Sequence, residues 1–291
     1  MEASAHAETP RDGTTACARE YFAPPSNRCN SPGGGERQIV LRLEFTRNLE
    51  HKEVHMPQPK AIHSTRAHAR SLLQKVVFWG LHLGIVVFCT WLLFFGGLSS
   101  LSGGLLTFAD PVRAKILLCC ATFYALRHGW TLFYLLRRHV PWGEVFGLLI
   151  FMALFEVGLL LLGGGVWTAK VAPLGWQDAV ASILLLAGSF LNSFSEMQRK
   201  GWKAKTENSG RCYTRGLFAY SMHINFFGDV VLFTGWCLLT QNLWTLILPL
   251  AMYLSFVFFH IPGLDAYLTD RYGKEFEDYA GRTKKMVPFV Y

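Results

Sequence analysis

The stretch Val76-Val-Phe-Trp-Gly-Leu-His-Leu-Gly-Ile-Val-Val-Phe-Cys-Thr-Trp-Leu-Leu-Phe-Phe-Gly-Gly-Leu98 contains no Lys, Arg, Asp or Glu. At 1.5 Å per residue such a run is long enough to cross a ~30 Å hydrocarbon core as a helix. It is read as the first membrane span. The same test places further spans near residues 114–136, 145–167, 178–194, 218–240 and 243–260. The expected fold is therefore an all-α polytopic membrane bundle of about six helices. Composition agrees: the 291 residues are 51% hydrophobic and only 16% charged, where soluble domains carry about 25% charged residues.

Before the first span the pattern is different. Residues 1–70 hold Pro24-Pro25, Gly33-Gly34-Gly35 and mixed charge without sustained apolar periodicity, the composition of a disordered tail. With no apolar core segment and several acidic residues, the tail fits neither a secretory signal nor an Arg-rich transit peptide. The rest, 71–291, is expected to form one helical membrane domain whose final segment, 261–291, lies at the aqueous interface. The formal charge of +8 would raise nucleic acid as a partner of a soluble protein. Here the basic residues flank spans, as the positive-inside rule requires, and nucleic acid is not expected.

Those charges gather in alternate connections. Arg66, Arg70 and Lys75 precede the first span, Arg137 and Arg138 follow the second, and a basic segment from Arg199 to Arg215 follows the fourth. The intervening loops are nearly uncharged. Arg113 and Lys115 break the pattern, and a missed or re-entrant segment is the expected reason. Seven cysteines (Cys17, Cys29, Cys89, Cys119, Cys120, Cys212 and Cys237) are scattered without a CxxC pair, so neither a disulfide framework nor a metal site is expected.

Ionisable residues inside spans are costly and by default mark a bundle interior or a functional cavity. Arg127 and His128 in the second span and Glu156 in the third are such residues, with a structural polar contact as the simpler account. The fifth span is denser. In Gly216-Leu-Phe-Ala-Tyr-Ser-Met-His-Ile-Asn-Phe-Phe-Gly-Asp229, His223, Asn225 and Asp229 interleave with aromatics, a set able to hold hydroxyls, amides or phosphate. Arg199 and Lys203 lie four apart on one helical face. They suit either anionic lipid or the phosphates of an anionic cofactor. Tyr272, Phe276 and Tyr279 form a stripe that serves for packing or as a lid. No GxGxxG after a strand and no P-loop is present, so a dinucleotide would be bound by helices and loops.

The run ending His223-Ile-Asn-Phe-Phe-Gly-Asp229 resembles the HINYxGD signature of the sterol C14 and C7 reductases and of the reductase-like domain of the lamin B receptor. The ending RYGKEFEDYAGRTKKMVPFVY, Arg271 to Tyr291, resembles that family's ending. Gln198, Arg199, Trp202 and Lys203 fall where the family carries its QKxxFR element. The wider superfamily includes the steroid 5-alpha reductases and the isoprenylcysteine carboxyl methyltransferases.

The resemblance implies a membrane reductase that uses NADPH to reduce a carbon–carbon double bond of a sterol, steroid or other isoprenoid or fatty lipid held in the bilayer, in the endoplasmic reticulum of a eukaryote. It implies cofactor contacts at Gln198, Arg199, Trp202, Lys203, His223, Asn225, Gly228, Asp229, Asp265, Tyr272 and Tyr279. The proton donor is not fixed by these motifs: Tyr220 and Glu156 are the candidates, with Tyr213 a third. Alternatives are an S-adenosylmethionine-dependent methyltransferase and a non-catalytic lipid-binding protein. The sterol reductases have more spans than this chain, and Leu217-Phe218 stands where they usually carry a Trp pair.

Overall fold

The computed structural model describes residues 71–169 and 171–291. The expected tail, with Arg66 and Arg70, lies outside the described residues. Nine α-helices are found among the described residues: α1 Leu72–Phe94, α2 Gly97–Leu101, α3 Pro111–Trp130, α4 Trp142–Gly163, α5 Trp176–Lys203, α6 Ile224–Leu238, α7 Ile247–Ser255, α8 Ile261–Tyr272 and α9 Lys274–Arg282. A π turn, Thr131–Leu135, extends α3, and another, Phe256–His260, joins α7 to α8.

Five helical stretches are long and apolar enough to cross a membrane: Leu72–Phe94, Pro111–Leu135, Trp142–Gly163, Trp176–Lys203 and Leu243–Tyr272. Phe95, Leu154 and Ile183 are 74%, 73% and 64% exposed, an arrangement that water would penalise and hydrocarbon favours. The protein is thus an all-α, multi-pass integral membrane bundle.

The expected fifth span is shorter than its sequence suggested. α6 has 15 residues, or about 22 Å, and begins at Ile224 because the preceding polar and aromatic stretch forms a 3-10 turn, Gly216–Ala219, instead. α5 differs in the other direction. It was expected to end near Phe194, yet it continues unbroken to Lys203, so Gln198, Arg199 and Lys203 ride on the rod that crosses the bundle. Nothing between Phe194 and Lys203 forces a stop, since that segment contains no proline.

α5 and α6 make the most extensive contact between helices. Their backbones touch along three glycines. A Cβ on Gly188 would lie 2.2 Å from the Leu232 nitrogen, one on Gly228 2.6 Å from the Asn192 nitrogen, and one on Gly235 2.4 Å from the Leu185 nitrogen. Small residues that admit a neighbouring backbone are the usual device for helix association in lipid, where no hydrophobic force separates helix from solvent. Around this seam the core is filled by Leu117, Phe155, Leu159, Leu232, Phe233 and Trp236.

Each end of the bundle has its own polar fastening. At one end Lys75 donates to the Leu136 carbonyl at 2.5 Å, and Lys200 donates to the Tyr134 carbonyl. The start of α1, the end of α3 and the end of α5 therefore meet at one basic end, in accord with the alternation of loop charge. At the other end Arg113, 1% exposed, donates to Asp178 Oδ1 at 2.5 Å, to the Leu239 carbonyl at 2.7 Å and to the Ala172 carbonyl at 2.9 Å. Asp110 caps α3 by accepting from the Arg113 N–H at 3.0 Å and lies 3.5 Å from its guanidinium. The apparent violation of the loop-charge rule at Arg113 is a buried, neutralised knot joining the starts of α3 and α5 to the end of α6. No re-entrant segment is needed to explain it.

Three outcomes follow for stability. Gly188→Leu should separate α5 from α6 and lower the thermal midpoint in detergent by the equivalent of at least about 2 kcal/mol. Gly147→Ala, on an open helix face, should leave the midpoint unchanged or slightly raised. Asp178→Ala, which leaves Arg113 buried and short of a partner, should cost about 3–5 kcal/mol by the same measurement.

Candidate functional site

The basic end of α5, the segment from Arg211 to Ala219 and the start of α6 are organised by side-chain caps. Gln198 Oε1 accepts the Leu217 N–H at 3.0 Å. The turn there needs Gly216, whose φ is +61° and whose missing Cβ leaves room for the Gln198 amide. The C-terminal segment then folds back over the entry to α6. Backbone N–H groups of Met222 and His223 donate to the carbonyls of Lys284 and Lys285 at 2.8 and 2.9 Å, and the Ser221 hydroxyl donates to the Met286 carbonyl at 2.7 Å.

His223 is thereby held at the first turn of α6, 1% exposed, with Nε2 2.8 Å from Asp265 Oδ1 on α8 and its ring stacked on Phe226. Asp265 also faces Lys285 at 3.9 Å. Next to this pair Glu196 accepts from two expected site residues: Asn225 Nδ2 at 3.1 Å and the Arg199 guanidinium. The Arg199 side chain remains 47% exposed and lies over the Phe218 ring. Lys203 Nζ contacts the Tyr272 hydroxyl at 2.7 Å and donates to the Arg211 carbonyl. One district of the basic end thus unites Arg199, Lys203, His223, Asn225, Asp265 and Tyr272 with Glu196, which the motif matches left unassigned.

Other expected contacts serve packing. Gly228 is closed against the α5 backbone by the seam described above. Tyr279, 3% exposed, donates to the Phe218 carbonyl at 2.5 Å and fixes the wall behind the turn; burial pushes its phenol above the ordinary value. Trp202 leans on Tyr213, whose phenol burial likewise raises. Tyr220 is 53% exposed and its ring neighbour is Phe289, which sets it outside the polar district.

The second district lies inside the bundle. Asp229 pairs with Arg127 at 3.3 Å, and Arg127 also donates to the Ser193 hydroxyl at 2.9 Å. Glu156 on α4, 2% exposed, meets His82 of α1, fully buried, with 2.6 Å between Oε1 and Nε2. His82 Nδ1 is in turn 2.8 Å from His128 Nδ1 on α3. Tyr124 edges onto the His82 ring at 5.6 Å. Glu156, one of the two leading candidate acids, is therefore on a helix that contributes nothing to the basic-end cluster. His82 escaped the sequence reading because a neutral imidazole does not interrupt a charge-free run; its polarity at mid-span was the available signal.

Comparison with known proteins gives this geometry its context. Residues 77–283 match a family described as a protein of unknown function, DUF1295. The chain is 28% identical over 136 residues to the Delta(14)-sterol reductase of Saccharomyces cerevisiae, a match covering 42% of this chain and 31% of that enzyme. It is 28% identical over 190 residues to 3-oxo-5-alpha-steroid 4-dehydrogenase 2 of Sus scrofa, covering 63% of this chain and 70% of that protein. With the Homo sapiens protein of the same name it shares 30% identity over 126 residues, covering 41% of this chain and 46% of its counterpart. The chain thus spans only about a third of the yeast enzyme. Its helical membrane bundle and the match across most of its length place it in the DUF1295 family, a steroid 5-alpha reductase-like family of membrane proteins.

Proposed function

We propose that this protein is an NADPH-dependent reductase of a carbon–carbon double bond in a sterol, steroid or related membrane lipid, placed in the endoplasmic reticulum if the source is eukaryotic. Three relatives carry the names of sterol or steroid redox enzymes, which supports lipid redox chemistry in general. The observation that carries the finer reading is the pairing of Arg199 and Lys203 at the end of α5 with the His223–Asp265 entry to α6.

The chemistry of this donor set fits a phosphorylated dinucleotide. Arg199, half-exposed, paired with Glu196 on its own helix turn and lying over Phe218, can exchange that carboxylate for a phosphate in a bidentate contact. Lys203 supplies a second cation, oriented by Tyr272. Lys285 and Arg211 add charge at the rim, each beside a carboxylate, Asp265 and Glu275. Asn225 and the His223–Asp265 pair offer donors and acceptors for ribose hydroxyls or an amide. When bound, the nicotinamide supplies a hydride. The protein's share is to hold the phosphates at the basic end, keep water from the reacting carbon and deliver one proton.

Titration in detergent tests this reading. Saturating NADPH should raise the thermal midpoint, because a ligand that binds only the folded state at about 100 times its Kd adds about 2.7 kcal/mol; S-adenosylmethionine should have no effect. Arg199→Ala combined with Lys203→Ala should weaken NADPH at least tenfold, about 1.4 kcal/mol, while the ligand-free midpoint stays near wild type. Stabilisation by S-adenosylmethionine alone would select the methyltransferase reading instead. Asp265→Asn should also weaken NADPH, by several-fold, through loss of the His223 anchor, read from the same titration.

A further inference from the structure

Glu156, His82 and His128 form an intramembrane trio. It joins three helices, α4, α1 and α3, through two short contacts, 2.6 Å from Glu156 Oε1 to His82 Nε2 and 2.8 Å from His82 Nδ1 to His128 Nδ1. Glu156 Oε2, however, is buried without a hydrogen-bond partner among the described residues. A buried carboxyl oxygen left unpaired is costly, and a native structure tolerates it most readily where it is used. Trp236 Nε1, a donor, is unpaired in the same core, and Tyr124 lies between, its ring 5.6 Å from both the His82 and the Trp236 rings. An unused acceptor and an unused donor thus lie in one apolar core.

We infer that Glu156, His82 and His128 form a proton relay through the bundle, with His128 as its outer end and Glu156 Oε2 as the point where the proton is handed to the bound lipid. Each imidazole can receive a proton on one nitrogen and release one from the other. The His82–His128 contact can run in either direction, so it persists after transfer, with each ring in its other tautomer. His128 is the less buried end of the chain. The groups facing the relay are Cys89 on α1, Tyr124 and Arg127 on α3, and Asp229 on α6 through Arg127.

This inference rests on the reductase reading for its chemistry. In that reduction the carbon–carbon double bond gains a hydride, with its electron pair, at one carbon from the nicotinamide, which leaves oxidised. The other carbon gains a proton as the Glu156 Oε2–H bond breaks. The Glu156 carboxylate then takes the Nε2 proton of His82 at Oε1 while His82 takes the Nδ1 proton of His128 and His128 takes one at Nε2 from the outer side. Before the next turnover both imidazoles return to their starting tautomers and the carboxyl proton passes from Oε1 to Oε2. One proton has then passed from the outer side of His128 to the product, and every residue of the relay ends neutral. Glu156 is the catalytic residue in this scheme; His82 and His128 supply it.

The test does not depend on turnover. In protein reconstituted into liposomes, the infrared carbonyl band of protonated Glu156 is assigned by its loss in Glu156→Gln, and its exchange on transfer to D2O is timed. The relay predicts that His128→Phe, which keeps ring volume, and His128→Gln, which keeps one polar contact, each retain the band but slow its exchange at least tenfold. Unchanged exchange in both variants, or a wild-type carboxyl that never carries a proton, overturns the relay. NADPH binding measured on the same samples separates the two claims. Failure of the wild type to bind NADPH removes the reductase reading and leaves the exchange result to stand on its own, whereas unchanged exchange with intact NADPH binding removes only the relay.

Discussion

The backbone contact between α5 and α6 is the constraint from which the rest of the architecture follows. Lipid offers no hydrophobic push to bring two apolar rods together, so their approach depends on the absence of side chains at Gly188, Gly228 and Gly235. That approach fixes the register between the end of α5 and the start of α6. Register, in turn, sets Asn225 against Glu196 and leaves Arg199 and Lys203 beside the entry where the C-terminal segment folds over His223. A shift of one helical turn along the seam would separate these groups by about 5 Å, beyond hydrogen-bond reach.

The charged residues within the hydrocarbon region obey one rule with two consequences. Arg113, Arg127 and Glu156 are paired, because an isolated ion there is expensive, but their pairings differ. Arg113 places its terminal guanidinium nitrogens on a carboxylate and two backbone carbonyls, leaves Nε without a hydrogen bond among the described residues, and locks loops at the sparsely charged end. Glu156 is satisfied on one oxygen only.

Much of the fold was legible because hydropathy alone identifies a charge-free run long enough to cross a bilayer, as at Val76 to Leu98. The limits of α5 and α6 were not. The polar residues after Phe194 marked the end of an apolar run, yet they extend the same helix because nothing among them breaks it, and the aromatic residues before Ile224 looked like a span, yet they form a turn capped by Gln198. At the site, His223 with Asn225 and Arg199 with Lys203 could be singled out by type and spacing. Their partners Asp265, Glu196 and Tyr272 depend on which helices meet, and a resemblance could suggest Asp265 and Tyr272 only as cofactor contacts. His82 was hidden by its lack of formal charge, and the glycine seam by the fact that a glycine's role is defined by its neighbour.

The claim on which the functional account turns is that the basic end of α5 holds the phosphates of a nicotinamide dinucleotide. A structure of the full chain determined with saturating NADPH tests it most directly. The account predicts phosphate density within hydrogen-bond distance of the Arg199 guanidinium and the Lys203 ammonium, with the nicotinamide directed along α6 toward the bundle interior. Cofactor density elsewhere, with Arg199 still closed on Glu196, would contradict it.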